Sequence, residues 1–391
     1  MKEGWQIKKL GEVATFIGGG TPTKSKSEYY TGNIPWATVR DMKSYQLYKT
    51  EFNITEDAVK NSATNILPSG TIIISTHVGL GKICILMQET AINQDLKGVL
   101  LNSEIIKSYF SYWYQSQSQQ IINNGKGATV KGVTLAFIKG LNIPVPPLSE
   151  QAEIVSELDL LNEIIEKKRL QLKELDNLSQ AIFYDMFGDP VANEKGWDVK
   201  RLKGITTKIG SGATPKGGDK SYKEEGISLI RSLNVFNNVF KYKDLAFIDA
   251  EQAAKLKNVI VETLDVLLNI TGASVARCCV VPSSILPARV NQHVAIIRAK
   301  RENLHPIFLS SQFTSKPYQQ YLLLLSKGNG ATREALTKNQ LENLPIILPP
   351  LSPQQEFAEK ITAIEEQKKR IQASLAETET LLNSRMDFYF N

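Results

Sequence analysis

The sequence predicts an α+β protein. Two tandem globular domains with mixed, β-rich cores are each followed by a long helix, and the two helices pack as an antiparallel coiled coil about a pseudo-two-fold axis. Three observations predict it. The chain is one plan written twice, the first part of each copy is made of short β-branched runs, and the second part of each copy keeps a seven-residue apolar rhythm.

The duplication carries the most weight. Gly4-Trp5-Gln6-Ile7-Lys8-Lys9-Leu10 returns as Gly196-Trp197-Asp198-Val199-Lys200-Arg201-Leu202. Gly18-Gly19-Gly20-Thr21-Pro22 returns as Gly210-Ser211-Gly212-Ala213-Thr214-Pro215, and residues 34–42 align with 227–235. Asn93-Gln94 recurs as Asn291-Gln292, Gly125-Lys126-Gly127-Ala128-Thr129 as Gly328-Asn329-Gly330-Ala331-Thr332, and Pro146-Pro147-Leu148-Ser149 as Pro349-Pro350-Leu351-Ser352. The blocks recur about 190–200 residues apart, always in the same order, which chance similarity does not produce. The resulting division is a first domain over 1–148, a helical spacer over 149–189, a second domain over 190–351 and a second spacer over 352–391. That agrees with the two or three domains expected at roughly 150 residues each.

Within the domains, runs at 71–75, 99–101, 259–261 and 294–297 are rich in Val and Ile, and Gly, Pro and Asn clusters separate them. This pattern reads as strands joined by long loops. The spacers begin after Pro-Pro-Leu. Proline disfavours helix upstream, Ser149 or Ser352 suits the N-cap, Pro353 suits the first helical position, and Gln355 completes a capping box. Leu158, Leu161, Ile165, Lys168, Leu172 and Leu175 step alternately by three and four, as do Ile361, Ile364, Lys368, Ile371, Leu375 and Thr378. Such spacing marks a coiled-coil seam. Further apolar positions at Ile154, Leu160, Ile164 and Leu170 lie off the seam and suit a partner surface. Chain order then places a similar domain at each end of a helical rod, whose length would set the distance between them.

Composition sets limits. Hydrophobic residues make up 42%, enough for ordinary cores. Lys and Arg total 46 against 40 Asp and Glu, a net charge of +6, which permits a polyanionic partner without demanding one. The first residues lack an apolar signal core, and no apolar run approaches the roughly 20 residues that span a bilayer, so a cytoplasmic protein without a membrane partner is expected. Cys84, Cys278 and Cys279 offer no disulfide framework and read as buried strand thiols.

Catalytic constellations are missing from the sequence. It carries no G-x-x-x-x-G-K-[ST] phosphate loop and no Asn-Pro-Pro-aromatic or Asp-Pro-Pro-aromatic tetrapeptide. His77, His293 and His305 lie far apart without metal-ligand spacing and read as structural. Gly18-Gly19-Gly20 reads as a flexible loop rather than a phosphate cradle.

The ordered blocks resemble the specificity subunit of a type I restriction–modification system over essentially the whole chain. The resemblance rests on G-W-x-x-K-x-L with G-G-G-T-P, the I-P-W segment, Asn-Gln, and G-A-T followed by I-P-x-P-P-L-S-x-Q, doubled in one chain. Phe187-Gly188-Asp189-Pro190 at the junction is also typical. It implies two target-recognition domains, each reading one half of a split site in double-stranded DNA. It also implies helices that bind two methyltransferase subunits, with two restriction subunits completing the nuclease. The chain itself would be non-catalytic and bind no cofactor. S-adenosylmethionine for adenine methylation, and ATP and Mg for restriction, would serve the partners. The recognition half of another DNA-modifying system, a solitary DNA-binding regulator, a non-catalytic scaffold and an enzyme with an unfamiliar site are the competing readings.

Reading DNA needs donors and acceptors on loops, with basic residues for phosphates. The loop over 23–30 offers Lys24, Lys26 and Tyr29, and its counterpart Lys216, Lys220 and Tyr222. Arg40 and Lys43 follow the Ile34-Pro35-Trp36 block, and Arg231 and Asn234 follow its partner. Lys82 aligns near Arg277, while Lys126 and Lys131 flank one Gly-Ala-Thr loop and Lys327 and Arg333 the other. The arginines among these can pair bidentately with guanine. Gln94 and Gln292 suit either adenine readout or stitching of the backbone. Copy two has Leu229-Ile230 for Trp36-Ala37 and Asn234 for Asp41, so the domains are expected to read different half-sites.

Overall fold

A computed structural model of the chain describes residues 5–127, 131–328 and 334–391. The chain forms two compact units, Met1–Arg169 with Ala373–Asn391, and Leu170–Gln372, so each long helix contributes one half to each unit.

The first unit is organised by two sheets. One runs in the order Ala14–Gly18, Leu96–Leu101, Ile72–Ser75, Ile83–Leu86, Gln46–Leu47, antiparallel except for its last pair. The other runs Phe52–Ile54, Ile34–Ala37, Thr90–Ile92, Asn65–Leu67, with a parallel pair at its centre. Ile72, Ile73 and Ile74 form a continuous apolar run because the sheet is covered on both faces. Ile72 and Ile74 pack with Tyr109, Phe110, Trp113 and Tyr114 of helix Lys107–Ser116, whereas Ile73 packs with Val39, Met42 and Leu86 on the other side. Ile154, Leu158, Tyr389 and Phe390 from the long helices complete the first of these cores. Ile154 is therefore a core residue, while Leu160 and Leu170 are more than half exposed.

The second unit repeats this topology. Thr206–Ser211, Val294–Ala299, Val266–Asn269 and Cys278–Val280 form one sheet. Ala246–Ile248, Ile227–Ile230, Ala288–Val290 and Ile260–Val261 form the other, again with a parallel central pair. Adjacent Cys278 and Cys279 fall in different cores, one on each face of their strand. A hairpin, Val235–Phe236 with Val239–Phe240, is added beside them.

The long helices run over Leu148–Phe187 and Leu351–Phe390. Both begin one residue before the serine expected to cap them, directly after the proline pair. A glutamine in the first turn of each does other work. Gln151 is fully buried; its Oε1 accepts from the Ile106 N–H (2.9 Å) and its Nε2 donates to the carbonyls of Glu104 (2.7 Å) and Pro146 (2.9 Å). Gln354 repeats all three bonds, to His305 N–H (2.8 Å) and to the carbonyls of Asn303 (3.0 Å) and Pro349 (2.7 Å). Gln355, proposed for a capping box, is exposed.

The seam residues are all buried or half-buried. In the first unit Glu157 pairs with Arg385, and Lys168 Nζ donates to Ser374 O and Oγ and to Thr378 Oγ1 at 2.7–2.9 Å. In the second, Phe183 and Phe187 pack on Phe357 at ring distances of 5.7 and 5.4 Å, and Lys368 bonds to Asp176 (2.7 Å) and Glu365 (2.8 Å). Residue numbers on one helix rise as those on the other fall, so the packing is antiparallel within each unit.

Candidate nucleic-acid interface

The two copies place the same polar framework at one end of their central strands. In the first unit, Thr76 N–H bonds to Asp95 O (2.9 Å), and Thr76 O accepts from Val133 N–H (2.8 Å). In the second, Ile270 N–H bonds to His293 O (3.0 Å) and Ile270 O accepts from Leu336 N–H (2.8 Å). These bonds seat Val133 and Leu336 against the strand ends in both units. The Gly-rich loop closes the other side. Thr21 Oγ1 donates to Gln94 Oε1, and Thr214 Oγ1 to Gln292 Oε1 (2.5 Å).

Glycine is required in that loop by close approach. A Cβ at Gly19 would lie 2.1 Å from the Asn93 carbonyl oxygen, and one at Gly212 would lie 1.8 Å from that of Val290. The loop is thus pressed onto neighbouring backbone, which corrects the expectation of a flexible segment. The Asn-Gln pair divides its labour. Asn93 and Asn291 are buried, and their Oδ1 atoms accept from the N–H groups of Asp95 and His293. Gln94 and Gln292 are exposed.

The predicted DNA-contacting residues fall into three groups. Lys24, Arg40, Lys43, Lys126, Lys131, Lys216 and Lys220 are exposed on loops. Lys126 exchanges two backbone hydrogen bonds with Gly132, the residue after Lys131 (2.9 Å each). Lys327 is also exposed, with Glu334 at 3.8 Å.

A second group is exposed or half-buried but already engaged. Lys26 donates to the Tyr29 hydroxyl (3.1 Å), which raises its pKa. Lys82 reaches Met42 O (3.4 Å). Arg231 stacks over Tyr222 at 5.1 Å, faces Asp219 at 3.5 Å and donates to Asp244 O. Tyr222 is half-buried, and burial raises its phenol pKa. Arg277 lies over the Phe236 ring at 4.5 Å, with Lys241 at 3.8 Å from the same ring. Phe236 and Lys241 escape the sequence reading because they lie beyond the aligned block 227–235.

The third group is buried. Tyr29 is 7% exposed and packs with Trp36 and Ile54, so its ring is not available to stack on a base. Asn234 is 0% exposed. Its Oδ1 accepts from Arg231 N–H (3.0 Å) and its Nδ2 donates to Lys241 O (2.9 Å) and Lys243 O (3.3 Å). Asn234 is therefore a turn-former and not a reading residue. Asp41 holds the equivalent turn, accepting from Thr38 N–H (2.7 Å). Arg333 lies outside the described residues.

Of the histidines, His305 is structural: it caps helix Pro306–Thr314, accepting from Ile307 N–H (3.3 Å), and burial lowers its pKa. His77 and His293 lie instead in the polar framework. Among the described residues there is no cluster of three or more His, Cys, Asp or Glu placed to hold a metal ion, and no helix long and apolar enough to cross a membrane.

Comparison with known proteins agrees with this arrangement. The sequence profile of the type I restriction modification DNA specificity domain matches twice, over residues 2–174 and 194–378. The chain is 27% identical over 382 residues to the type I restriction enzyme MjaIX specificity subunit of Methanocaldococcus jannaschii, covering 90% of this chain and 85% of that one. It is 34% identical over 159 residues, 39% of each chain, to the EcoR124I/EcoR124II specificity subunit of Escherichia coli. Among solved structures, the fold matches one from a study of type I R-M complex assembly and conformational transition. The TM-score is 0.63 at 21% identity, over 100% of this chain and 98% of that one. It also matches the S subunit from M. genitalium, with a TM-score of 0.56 at 12% identity over 100% and 98% of the two chains. Two specificity domains in tandem, each with its own strand-end framework and share of the helices, place this protein in the family of DNA sequence-recognising specificity subunits of type I restriction–modification systems.

Proposed function

We propose that the chain reads a bipartite site in double-stranded DNA and performs no chemistry itself. Each unit reads one half-site through the end of its strands that carries Gln94 or Gln292. The observation that carries this reading is recurrence. Both units present an exposed glutamine held by a threonine of the Gly-rich loop, at the end of the strands where Val133 or Leu336 is also bonded. A glutamine amide offers a donor and an acceptor in the spacing that adenine presents in the major groove. Lys24, Lys126 and Lys131 in one unit, and Lys216, Lys220, Arg277 and Lys327 in the other, supply phosphate contacts or guanine readout around it.

Methylation of adenine from S-adenosylmethionine, and ATP- and Mg-dependent restriction, belong to methyltransferase and restriction subunits in this reading. Two of each would assemble on the one specificity chain. The exposed Leu160 and Leu170 offer part of the surface for a methyltransferase subunit. Exchanging residues 1–145 for those of another family member, in the assembled methyltransferase, tests the proposal. Sequencing of methylated adenines should show one half of the motif altered and the other intact. Simultaneous change of both halves would refute it.

A further inference from the structure

We infer that a three-residue exchange at the strand ends, His77, Asp95 and Gly132 in one unit against Thr271, His293 and Ala335 in the other, makes the two units read different bases. The inference rests on the DNA-reading role proposed above.

The equivalence of these positions follows from register. Leu96 faces Ser75 across the sheet of the first unit, and Val294 faces Asn269 in the second. Two residues beyond the strands lie His77 and Thr271; one residue before them lie Asp95 and His293. The backbone bonds on either side recur in both units, so the scaffold is the same and only the side chains differ.

The exchange is coordinated in shape. In the first unit the imidazole of His77 lies beneath Gly132. A Cβ there would sit 2.5 Å from His77 Cδ2 and 3.0 Å from Nε2, so only glycine leaves room for the ring. In the second unit the smaller Thr271 forms a backbone bridge with Ala335, and a methyl group is tolerated.

It is also coordinated in hydrogen bonding. His77 Nδ1 faces Asp95 Oδ1 at 3.8 Å, and the His77 side chain is 47% exposed. Among the described residues neither Nε2 of His77 nor Nε2 of Gln94 has a hydrogen-bond partner. The first unit therefore leaves one imidazole nitrogen of His77 and both amide hydrogens of Gln94 unpaired among the described residues. In the second unit the histidine stands on the other strand. Gln292 Nε2 lies 3.1 Å from His293 Nε2, and Thr271 Oγ1 lies 2.5 Å from His293 Nδ1. A neutral imidazole has one donor and one acceptor. If Nε2 accepts from the Gln292 amide, Nδ1–H donates to the Thr271 hydroxyl. Both ring nitrogens are then satisfied, and Gln292 keeps one amide hydrogen for a ligand. The two units thus share one reading glutamine but surround it with different donor sets, and different donor sets select different base edges.

The test moves the three residues as a group. His77→Thr with Asp95→His and Gly132→Ala, in the full chain assembled with its methyltransferase, should shift base preference about tenfold to a hundredfold at one or two positions of one half-site. The other half-site should be unchanged. The reciprocal set, Thr271→His with His293→Asp and Ala335→Gly, should shift the other half-site only. His77→Gln, which preserves size and polarity, serves if the triple variant fails to fold, and should relax the same half-site. Wild-type base preference in both halves, in variants that melt normally, would overturn the inference, as would a change in both halves from one set. Failure of the wild-type complex to methylate any split motif would instead refute the proposed function on which the inference rests.

Discussion

Replacing Gln151 by Met should destabilise the first unit by about 3–5 kcal/mol. The side chain is 0% exposed and bonds to one N–H and two carbonyls of the backbone. Each net hydrogen bond is worth about 1 kcal/mol, and each backbone group left buried without a partner costs about 1–3 kcal/mol. Methionine has nearly the same volume, so the cavity contribution is small. For a unit of this size, the loss corresponds to a fall in Tm of roughly 6–20 °C. Gln354→Met should cost the second unit a similar amount, and the two losses should add because the residues share no partner. Gln355→Met is the control. Its side chain is exposed, so the change should stay within about 0.5 kcal/mol. Calorimetric and circular-dichroism melts of the four proteins decide the matter. A loss below about 1 kcal/mol for Gln151→Met and Gln354→Met would show that the amides are not structural clamps. A large loss for Gln355→Met would restore the capping-box reading.

Gly19→Ala and Gly212→Ala should each displace the Gly-rich loop, because the new methyl group would meet a carbonyl oxygen at 2.1 or 1.8 Å. A loss of about 1–3 kcal/mol and weaker DNA binding by the assembled complex are expected, measured by melting and gel shift. The three thiols should be inert to a thiol reagent at mildly alkaline pH until the protein is unfolded. All are buried, and burial pushes Cys84 and Cys279 up to about 12 and raises Cys278 as well. Rapid labelling of the native chain would contradict the buried-strand placement. Burial lowers the pKa of Lys368, but its bonds to Asp176 and Glu365 outweigh that and hold it above the ordinary 10.5. Its contribution to stability is therefore fully present below 10.5 and lost as pH rises through the higher folded value. Urea unfolding across that range should show an alkaline loss that Lys368→Met lacks.

The duplication, the α+β class and the two helices are legible in the residues alone, because these depend on local order and periodicity. Six blocks in constant order, β-branched runs between Gly and Pro, and a three-four apolar step are all readable without distant contacts. The seam from Leu158 to Thr378 was legible for the same reason. The job of each polar residue emerges only on folding, because polar side chains take their roles from groups far away in sequence. Gln151 and Gln354 look like ordinary first-turn residues until the 104–106 and 303–305 segments arrive to meet them. Asn234 looks like a reader, yet its amide is consumed by a turn closed from residues 241 and 243. The glycines of the G-G-G-T-P block suggest freedom, but the backbone at Ile92 and Asn93, where a strand ends, confines Gly19. His77 and His293 lie at different points of their repeats, and neither suggests a relation to the other. Pairing of the strands places them at the two members of one polar pair, through contacts that sequence periodicity does not encode.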